Sequence, residues 1–415
     1  MPPDEIRVED LLRSEAPQVL GALVRRFGHF EVAEDAVQET LLAAVQRWPT
    51  EGVPEHPRSW LIRVGYRRMV DLLRSDQARR NREMTSAVNE EPMQTAEPAE
   101  EADDSLTLLF LCCHPALSPV SQVALTLRAV GGLTTAEIAH AYGVAESAMA
   151  QRISRAKQQI RHAGGRFRQP PPEAYDERLS AVCQVLYLIF NEGYTVSHGD
   201  RLDRIDLSTE AIRLTRMLHR LAPDQPEVAG LLALMLLTQA RRAARIGDEG
   251  DLVTMADQDR ARWDPALTLE GTELITAALR QRRTGPYQLQ AAIAAVHNQA
   301  ARYTDTDWAK IAALYAWLER LSPTPMVRLG RAVAVGMAHG PVRGLTLLDG
   351  LPDDPLTRQR ERVVRAHLTE RAGEAAAAVE LFEEAARLTA NEPEQRYLRG
   401  RAAALRTACE ETSGR

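Results

Sequence analysis

The chain has 415 residues, a net charge of −6, 45% hydrophobic residues and 26% charged residues. This length allows two or three domains, and the composition is typical of a soluble globular protein that needs no disulfide framework. The acidic start of the chain resembles no signal peptide, and its longest apolar stretch, Val228 to Leu237, is too short to span a membrane.

The four cysteines, Cys112, Cys113, Cys183 and Cys409, form no CxxC pair. Adjacent cysteines such as the first two cannot easily share one zinc ion, and a second ligand pair is absent from the sequence. We therefore expect no metal and no other cofactor. Unpaired cysteines without a leader predict a protein of the reducing cytoplasm.

Apolar residues recur at helical spacing throughout, and no sustained alternation is present, which predicts an all-α fold. Three charge blocks divide the first 170 residues. The segment Arg58 to Arg82 has eight arginines and two acids (+6), Glu83 to Asp104 has eight acids and no base (−8), and Ser147 to Arg168 has six bases and no acid (+6). The acidic block predicts a flexible linker.

Three prolines at 170–172 mark a further stiff boundary. The predicted organisation is a helical domain at 1–82, the linker at 83–104, a second helical domain at 105–168 and a helical region at 169–415.

The first clear helix is predicted at 30–48, FEVAEDAVQETLLAAVQRW. One stripe is expected to be buried: Ala33, Val37, Leu41, Val45 and Trp48. A second stripe combines acidic and apolar residues, namely Asp35, Glu39, Leu42 and Gln46. From periodicity alone, an ordinary solvated face is the favoured interpretation, and a binding surface is the alternative.

The next helix is predicted to begin at Pro57 and reads PRSWLIRVGYRRMVDLLRSDQARR. Its Arg63, Arg67 and Arg74 share one face, which suits contact with phosphates. Aromatic side chains such as Trp60 can receive an unstacked base. The alternative is a surface helix in which Trp60 belongs to the core.

Residues 117–161 contain the pattern of a helix-turn-helix. Ser118-Pro119 begins one helix, which ends at Gly131-Gly132. Thr134 and Glu137 form a capping box before a short helix that Gly143 ends.

The last helix of this segment is predicted from about Glu146 to Arg161. Its expected core stripe is Met149, Ile153, Ala156 and Ile160. The opposite face can enter a major groove, where Gln151 is suited to adenine and Arg152 to guanine or phosphate.

These segments together carry a resemblance to a known family. The strings AEDAVQETLLAAVQRW and PRSWLIRVGYRRMVDLLRS resemble regions 2.1 to 2.4 of the extracytoplasmic-function (ECF) subgroup of sigma-70 factors, and AMAQRISRAKQQIR resembles its region 4. The resemblance implies a sigma factor whose first domain binds the β′ coiled coil of core RNA polymerase and the −10 promoter element. The second domain would bind the −35 element and the β flap.

The resemblance also implies a role for particular residues. The core polymerase-binding candidates are Asp35, Gln38, Glu39 and Leu42. The −10 candidates are Arg58, Trp60, Arg63, Tyr66, Arg67, Arg68 and Arg74. The −35 candidates are Ser147, Ala148, Gln151, Arg152, Arg155 and Lys157.

One position departs from the family pattern: Ala145 stands just before the recognition helix, where the family often has Ser or Thr. The change removes a helix cap and a possible phosphate contact, so the affinity for the −35 element is expected to be modest. An alternative class is a helix-turn-helix regulator with signalling repeats that is not a sigma factor.

The last 240 residues contain a tetratricopeptide-like (TPR-like) pattern. Small and large residues at repeat spacing mark one unit, Ala366, Ala378, Phe382 and Ala385. A weaker unit has Ala211, Leu218, Pro223 and Ala233. The layout resembles an ECF subgroup with a TPR-like C-terminal extension, which implies a domain that regulates or supports the sigma factor and that can hold a protein partner.

Two segments of this region are notable, LIFNEGYTVSHGD (188–200) and DQDRARWDPALTLEGTELI (257–275). Their polar and aromatic residues are Asn191, Glu192, Tyr194, Asp259, Arg262, Trp263 and Asp264. Structural ties between helices are the favoured interpretation, and a ligand or regulatory surface is the alternative. No nucleophile elbow or metal spacing accompanies them, so we expect no catalytic residue and no enzyme.

Overall fold

The computed structural model describes residues 8–83, 104–164, 167–195, 205–247, 250–352 and 354–413. These residues are mostly helical, and no named strand occurs among them. The all-α prediction is therefore confirmed. None of the described helices is both long and apolar enough to cross a membrane. The predicted linker, 83–104, lies almost wholly outside the described residues.

The chain divides into two compact units, residues 1–186 and 187–415. The helices that begin in the first unit are α1 (Val8–Phe27), α2 (Phe30–Glu51), α3 (Pro57–Glu83), α4 (Ser105–Cys112), α5 (Pro119–Ala129), α6 (Thr135–Ala141), α7 (Glu146–His162) and α8 (Pro172–Tyr194). Helix α8 crosses the boundary between the units. The first unit thus extends beyond the boundary that the sequence predicts at residue 169.

Helices α1, α2 and α3 pack on one another around fully buried side chains such as Leu23, Leu61 and Met69. The stripe predicted for α2 is only partly correct, because Val45 is 48% exposed. The buried face instead passes through Thr40 and Ala44. A stripe taken at every fourth residue drifts around a helix of 3.6 residues per turn, whereas a mixture of three- and four-residue steps stays on one face.

The helix-turn-helix forms as its local signals predict. The Thr134 hydroxyl accepts from the Glu137 backbone N–H at 3.1 Å, and the Glu137 carboxylate accepts from the Thr134 N–H at 2.7 Å. Gly143, with φ +61°, follows α6 in the left-handed region that glycine favours. The buried residues of α7 are the predicted ones, Met149, Ile153, Ala156 and Ile160.

Helix α4 is buried along its whole length, so it needs partners on every side. Asp104, just before it, forms an ion pair with Arg25 of α1 at 3.0 Å. On α8, the Tyr175 ring meets Phe110 edge-on at 5.5 Å, and Arg178 donates to the Phe110 carbonyl. The beginning of α8 therefore completes the core of the first unit.

The second unit is a series of helices in which chain neighbours pack together. Its helices are α9 (Ile205–Leu221), α10 (Pro226–Gln239), α11 (Arg242–Arg245), α12 (Pro265–Arg280), α13 (Pro286–Gln299), α14 (Trp308–Leu321), α15 (Pro325–His339), α16 (Pro341–Leu348), α17 (Pro355–Arg371), α18 (Ala375–Leu388) and α19 (Glu392–Ser413). Short 3-10 turns occupy Arg260–Arg262 and Tyr303–Asp305.

The TPR-like unit of the sequence corresponds to α17 and α18. Its four pattern residues are fully buried in one cluster with Leu398 of α19. In the weaker unit, Ala211, Leu218 and Ala233 are also fully buried on α9 and α10. Both patterns therefore mark helix–helix contacts.

Candidate nucleic-acid and polymerase interfaces

The predicted −10 surface is a basic face of α3. Arg63, Arg67 and Arg74 are exposed on it. Two other arginines of the predicted set are already paired within the first unit. Arg58 lies 2.6 Å from the Glu15 carboxylate, and Arg68 lies 3.5 Å from that of Glu39.

The two aromatic residues predicted for this surface are half-buried. The Trp60 ring meets Trp48 edge-on at 5.5 Å, and the Tyr66 ring lies 5.2 Å from that of Phe27. Both rings contribute to packing of the three-helix group. The exposed part of the surface is formed by the arginines.

The predicted polymerase surface lies on α2. Asp35, Glu39 and Leu42 are exposed, with 61% of Leu42 accessible, whereas Gln38 is half-buried. Val45 adds a second exposed apolar side chain one turn away. An exposed aliphatic pair beside carboxylates fits a protein contact. Desolvation raises the pKa of the Asp35 carboxyl, and the nearby Lys157 ammonium opposes this shift.

The predicted −35 surface lies on the recognition helix α7. Ser147, Ala148, Gln151 and Arg155 are exposed, and Arg152 is half-buried. These side chains share the face opposite the buried stripe. They therefore form a continuous surface of the size that a major groove admits.

Lys157 does not join this surface. Its side chain is 10% exposed, and its ammonium lies 2.5 Å from the Glu34 carboxylate of α2. Arg128 of α5 lies 2.7 Å from the other oxygen of that carboxylate. Helical periodicity already places Lys157 beside Ile153 and Ile160, at the edge of the buried stripe, so it should not have been assigned to the exposed face. Periodicity within one helix carries no information about an acid on another helix. Glu34 and Arg128 were missed for the same reason.

The absence of a side-chain cap at Ala145 leads to a prediction about stability. Ala145 has extended backbone angles at the N-cap of α7 and makes no side-chain cap. We expect Ala145→Ser to raise the free energy of unfolding by about 1 kcal/mol, because its hydroxyl can accept from a free N–H of the first turn. Urea denaturation measures this change. An unchanged midpoint of denaturation would show that a side-chain cap at position 145 does not stabilise the protein. Ala150→Ser, within the helix, is the matched control.

The polar and aromatic residues of the first notable segment, 188–200, lie where α8 contacts other helices of the second unit. A side chain at Gly193 would collide with the α9 backbone at Ser208, so the close contact of α8 and α9 requires glycine. The Arg245 guanidinium lies 4.3 Å from the centre of the Tyr194 ring and donates to the Tyr194 carbonyl. Asn191 is exposed and Glu192 half-buried beside this tie.

In the second notable segment, 257–275, two carboxylates cap the 3-10 turn at Arg260–Arg262 and helix α12. The Asp259 carboxylate accepts from the Ala261 N–H at 2.9 Å, and that of Asp264 accepts from the Ala266 N–H at 2.9 Å. Trp263 is 8% exposed, and the Arg260 guanidinium lies 4.5 Å from its ring centre. These contacts are helix caps and packing.

Two further observations bear on the alternative interpretation of this segment as a ligand or regulatory surface. Arg262 is exposed. A cavity of about 540 Å³ borders Arg260 and Trp263, so there is also room for a small ligand beside the group.

The cysteines show no metal-binding arrangement. Cys112 and Cys113 are buried, and desolvation raises the pKa of the Cys113 thiol to about 12. Across the described ranges, no group of three His, Cys, Asp or Glu side chains could hold a metal ion.

Buried His297 predicts a pH dependence of stability. Desolvation, with the charges of Arg241 and Arg260, lowers the pKa of His297 to about 3. In the unfolded chain the His297 imidazole takes up a proton near pH 6.5, whereas in the folded protein the imidazole stays neutral. The stability that is present above pH 6.5 is therefore lost as the pH falls toward 3.

Between pH 7.5 and 5.5 we expect His297 to cost about 1.4 kcal/mol of the free energy of unfolding. Urea denaturation of the protein and of His297→Gln at both pH values measures it. The variant should lose less stability than the parent on acidification. Equal losses would contradict the prediction.

Comparison with known proteins matches three families to successive parts of the chain. Sigma-70 region 2 matches residues 11–80, and Sigma-70, region 4 matches residues 107–160. A family of unknown function, DUF6596, matches residues 178–279. An uncharacterized protein of Rhizobium meliloti (strain 1021) is 42% identical over 394 residues, covering 94% of this chain and 93% of the relative. No solved structure gives a significant match.

Proposed function

Because the chain belongs to the sigma-70 family and carries a C-terminal extension, we propose that it binds core RNA polymerase and directs promoter-specific initiation. A sigma factor positions the polymerase and does not itself catalyse RNA synthesis. The observation that carries the proposal is the pairing of two basic surfaces in one unit: the exposed arginines of α3 and the exposed face of α7. The α3 surface lies in the part of the chain that matches region 2, and the α7 surface lies in the part that matches region 4. Both regions bind promoter DNA in the sigma-70 family. Such a factor works in the cytoplasm, beside polymerase and chromosome.

The proposed roles of the residues follow their placement. Arg63, Arg67 and Arg74 are assigned to the −10 element, where their charges meet phosphates. The exposed face of α7 is assigned to the −35 element, with Gln151 and Arg152 at base edges. The acids of α2, with Leu42, are assigned to the β′ coiled coil of the polymerase. The second domain is also assigned to the β flap.

Run-off transcription tests this function. The full chain and core RNA polymerase are combined on a template that contains the DNA upstream of the protein's own gene. A transcript of defined length is expected only when both proteins are present. A helix-turn-helix regulator would instead bind this DNA alone and would not be retained by immobilised core polymerase. That combination of results would overturn the proposal.

The extension is proposed to support the first two domains rather than to inhibit them. Tyr175 and Arg178 of α8 pack on Phe110 of α4, so residues beyond the helix-turn-helix complete the core of the first unit. A fragment of residues 1–170 lacks both contacts, whereas a fragment of residues 1–186 retains them. The TPR-like helices are proposed to hold a protein partner.

The two fragments separate support from inhibition. If the extension supports activity, both fragments should initiate less well than the full chain, and the 1–170 fragment should be the less stable one. If the extension inhibits in cis, the 1–186 fragment should initiate more strongly than the full chain. Run-off yield and urea denaturation provide the two measurements.

A further inference from the structure

The two DNA-binding regions of the first unit pack on each other. Helix α4 lies buried against α1, and Asp104 is held by Arg25. Gly21 of α1 leaves the space that the Asp104 side chain occupies, since a Cβ there would collide with it. Region 2 and region 4 are therefore in direct contact.

An ion cluster joins the same two regions. Glu34 of α2 is 1% exposed and meets Arg128 of α5 at 2.7 Å and Lys157 of α7 at 2.5 Å. The Glu34 carboxylate and both cations are thus largely removed from water. Removing one partner of such a group strongly disfavours the arrangement that buries it.

Two further ion pairs lie at the edge of this cluster. The Arg161 guanidinium of α7 lies 2.9 Å from the Glu31 carboxylate of α2, and Arg13 of α1 lies 3.4 Å from Glu137 of α6. Both pairs are more exposed than the Glu34 cluster, so each contributes less. They nevertheless favour the same contact between the regions.

This arrangement is too small to contact both promoter elements at once. The elements lie about 25 base pairs apart, which is roughly 85 Å of duplex at about 3.4 Å per base pair. A compact unit of 186 residues has a radius of gyration of roughly 16 Å. The twenty residues between Glu83 and Asp104 can reach at most about 70 Å when fully extended, so the chain permits the two regions to separate.

We propose that the structure is a closed state of the sigma factor and that the Glu34–Arg128–Lys157 cluster is the latch that holds it closed. This inference rests on the proposed function. The Asp35 carboxylate, a proposed polymerase contact, also lies 3.7 Å from the Lys157 ammonium. Polymerase binding to α2 and opening of the latch therefore act on neighbouring carboxylates. A partner that binds only the open state shifts the equilibrium toward it.

A reversible cross-link tests the closed state. Glu31→Cys and Arg161→Cys are combined in a Cys409→Ser background, and a reducible bis-methanethiosulfonate reagent joins them. The other cysteines are buried. We expect the linked protein to lose at least tenfold in run-off yield and to recover it on reduction. Linked protein that initiates as well as the reduced protein would overturn the proposal.

Weakening the latch supplies a second readout that needs no polymerase. The rate at which the reagent cross-links the free protein reports how often the regions are closed. Glu34→Gln leaves Arg128 without its carboxylate and Lys157 with only the exposed Asp35, so we expect the closed population, and with it the rate of cross-linking, to fall at least tenfold. Glu51→Gln, exposed at the end of the same helix, is the matched control. An unchanged rate in Glu34→Gln would overturn the latch.

The two readouts separate this inference from the proposed function. If the reduced double-cysteine protein gives no transcript but the cross-linking rate responds to Glu34→Gln, the latch stands and the sigma function fails. If the transcript forms and the rate does not respond, the function stands and the latch fails.

Discussion

Replacing Phe382 with alanine is expected to lower the free energy of unfolding of the second unit by about 3–5 kcal/mol. The Phe382 ring is fully buried between α17, α18 and α19, where small residues such as Ala366 and Ala378 surround it. These neighbours cannot fill the space that a lost ring leaves, so the cavity adds to the lost burial of apolar surface. Urea denaturation measures the change.

The matched control for this experiment is Leu388→Ala at the end of the same helix. Leu388 is 42% exposed, and its loss should change the free energy of unfolding by less than about 1 kcal/mol. If Phe382→Ala were no more damaging than the control, the TPR-like cluster would not be a core. If the extension supports initiation, the run-off yield of Phe382→Ala should fall as well.

Arg67→Ala and Arg152→Ala are each expected to reduce promoter-specific initiation by roughly 5- to 150-fold, which corresponds to about 1–3 kcal/mol for each lost contact. Arg67 is exposed on the proposed −10 surface, and Arg152 lies on the proposed −35 surface. Neither belongs to the proposed polymerase surface, so retention on immobilised core polymerase should not change. Run-off yield and retention are measured on the same preparations.

Arg47→Ala is the matched control, because Arg47 is an exposed arginine of α2 outside both proposed DNA surfaces. Normal initiation by both test variants would refute the assignment of these surfaces. Loss of polymerase retention in either variant would show that the substitution acts on a protein contact instead. Raising the salt concentration should weaken DNA binding by the control more steeply than by Arg67→Ala, since fewer phosphate charges are neutralised in the variant.

Local signals in the sequence predicted the local structure well. The capping box of Thr134 and Glu137, the end of α6 at Gly143 and the buried face of α7 all depend on residues within one or two helical turns. Such interactions are complete within a short segment. The sequence therefore contains them without knowledge of the fold.

The features that were missed depend on residues far apart in the chain. Lys157 is paired with Glu34, which lies on a different helix. Gly193 is required by the α9 backbone, although its segment suggests a polar motif. Neither partner can be identified from spacing alone. The error at Val45 has a different origin, since a fixed four-residue spacing misplaces the last positions of a long helical stripe.

The burial of Glu34 between helices of both regions limits how far this chain can be treated as a set of exchangeable modules. A chimera that takes region 4 from another sigma factor would replace Arg128 and Lys157 together, and the new helices need not place cations opposite Glu34. Its buried carboxylate would then lack a counter-charge. Exchange of promoter choice in this way should therefore also weaken the closed state, unless α2 is transferred with the recognition helix or position 34 is changed to match it.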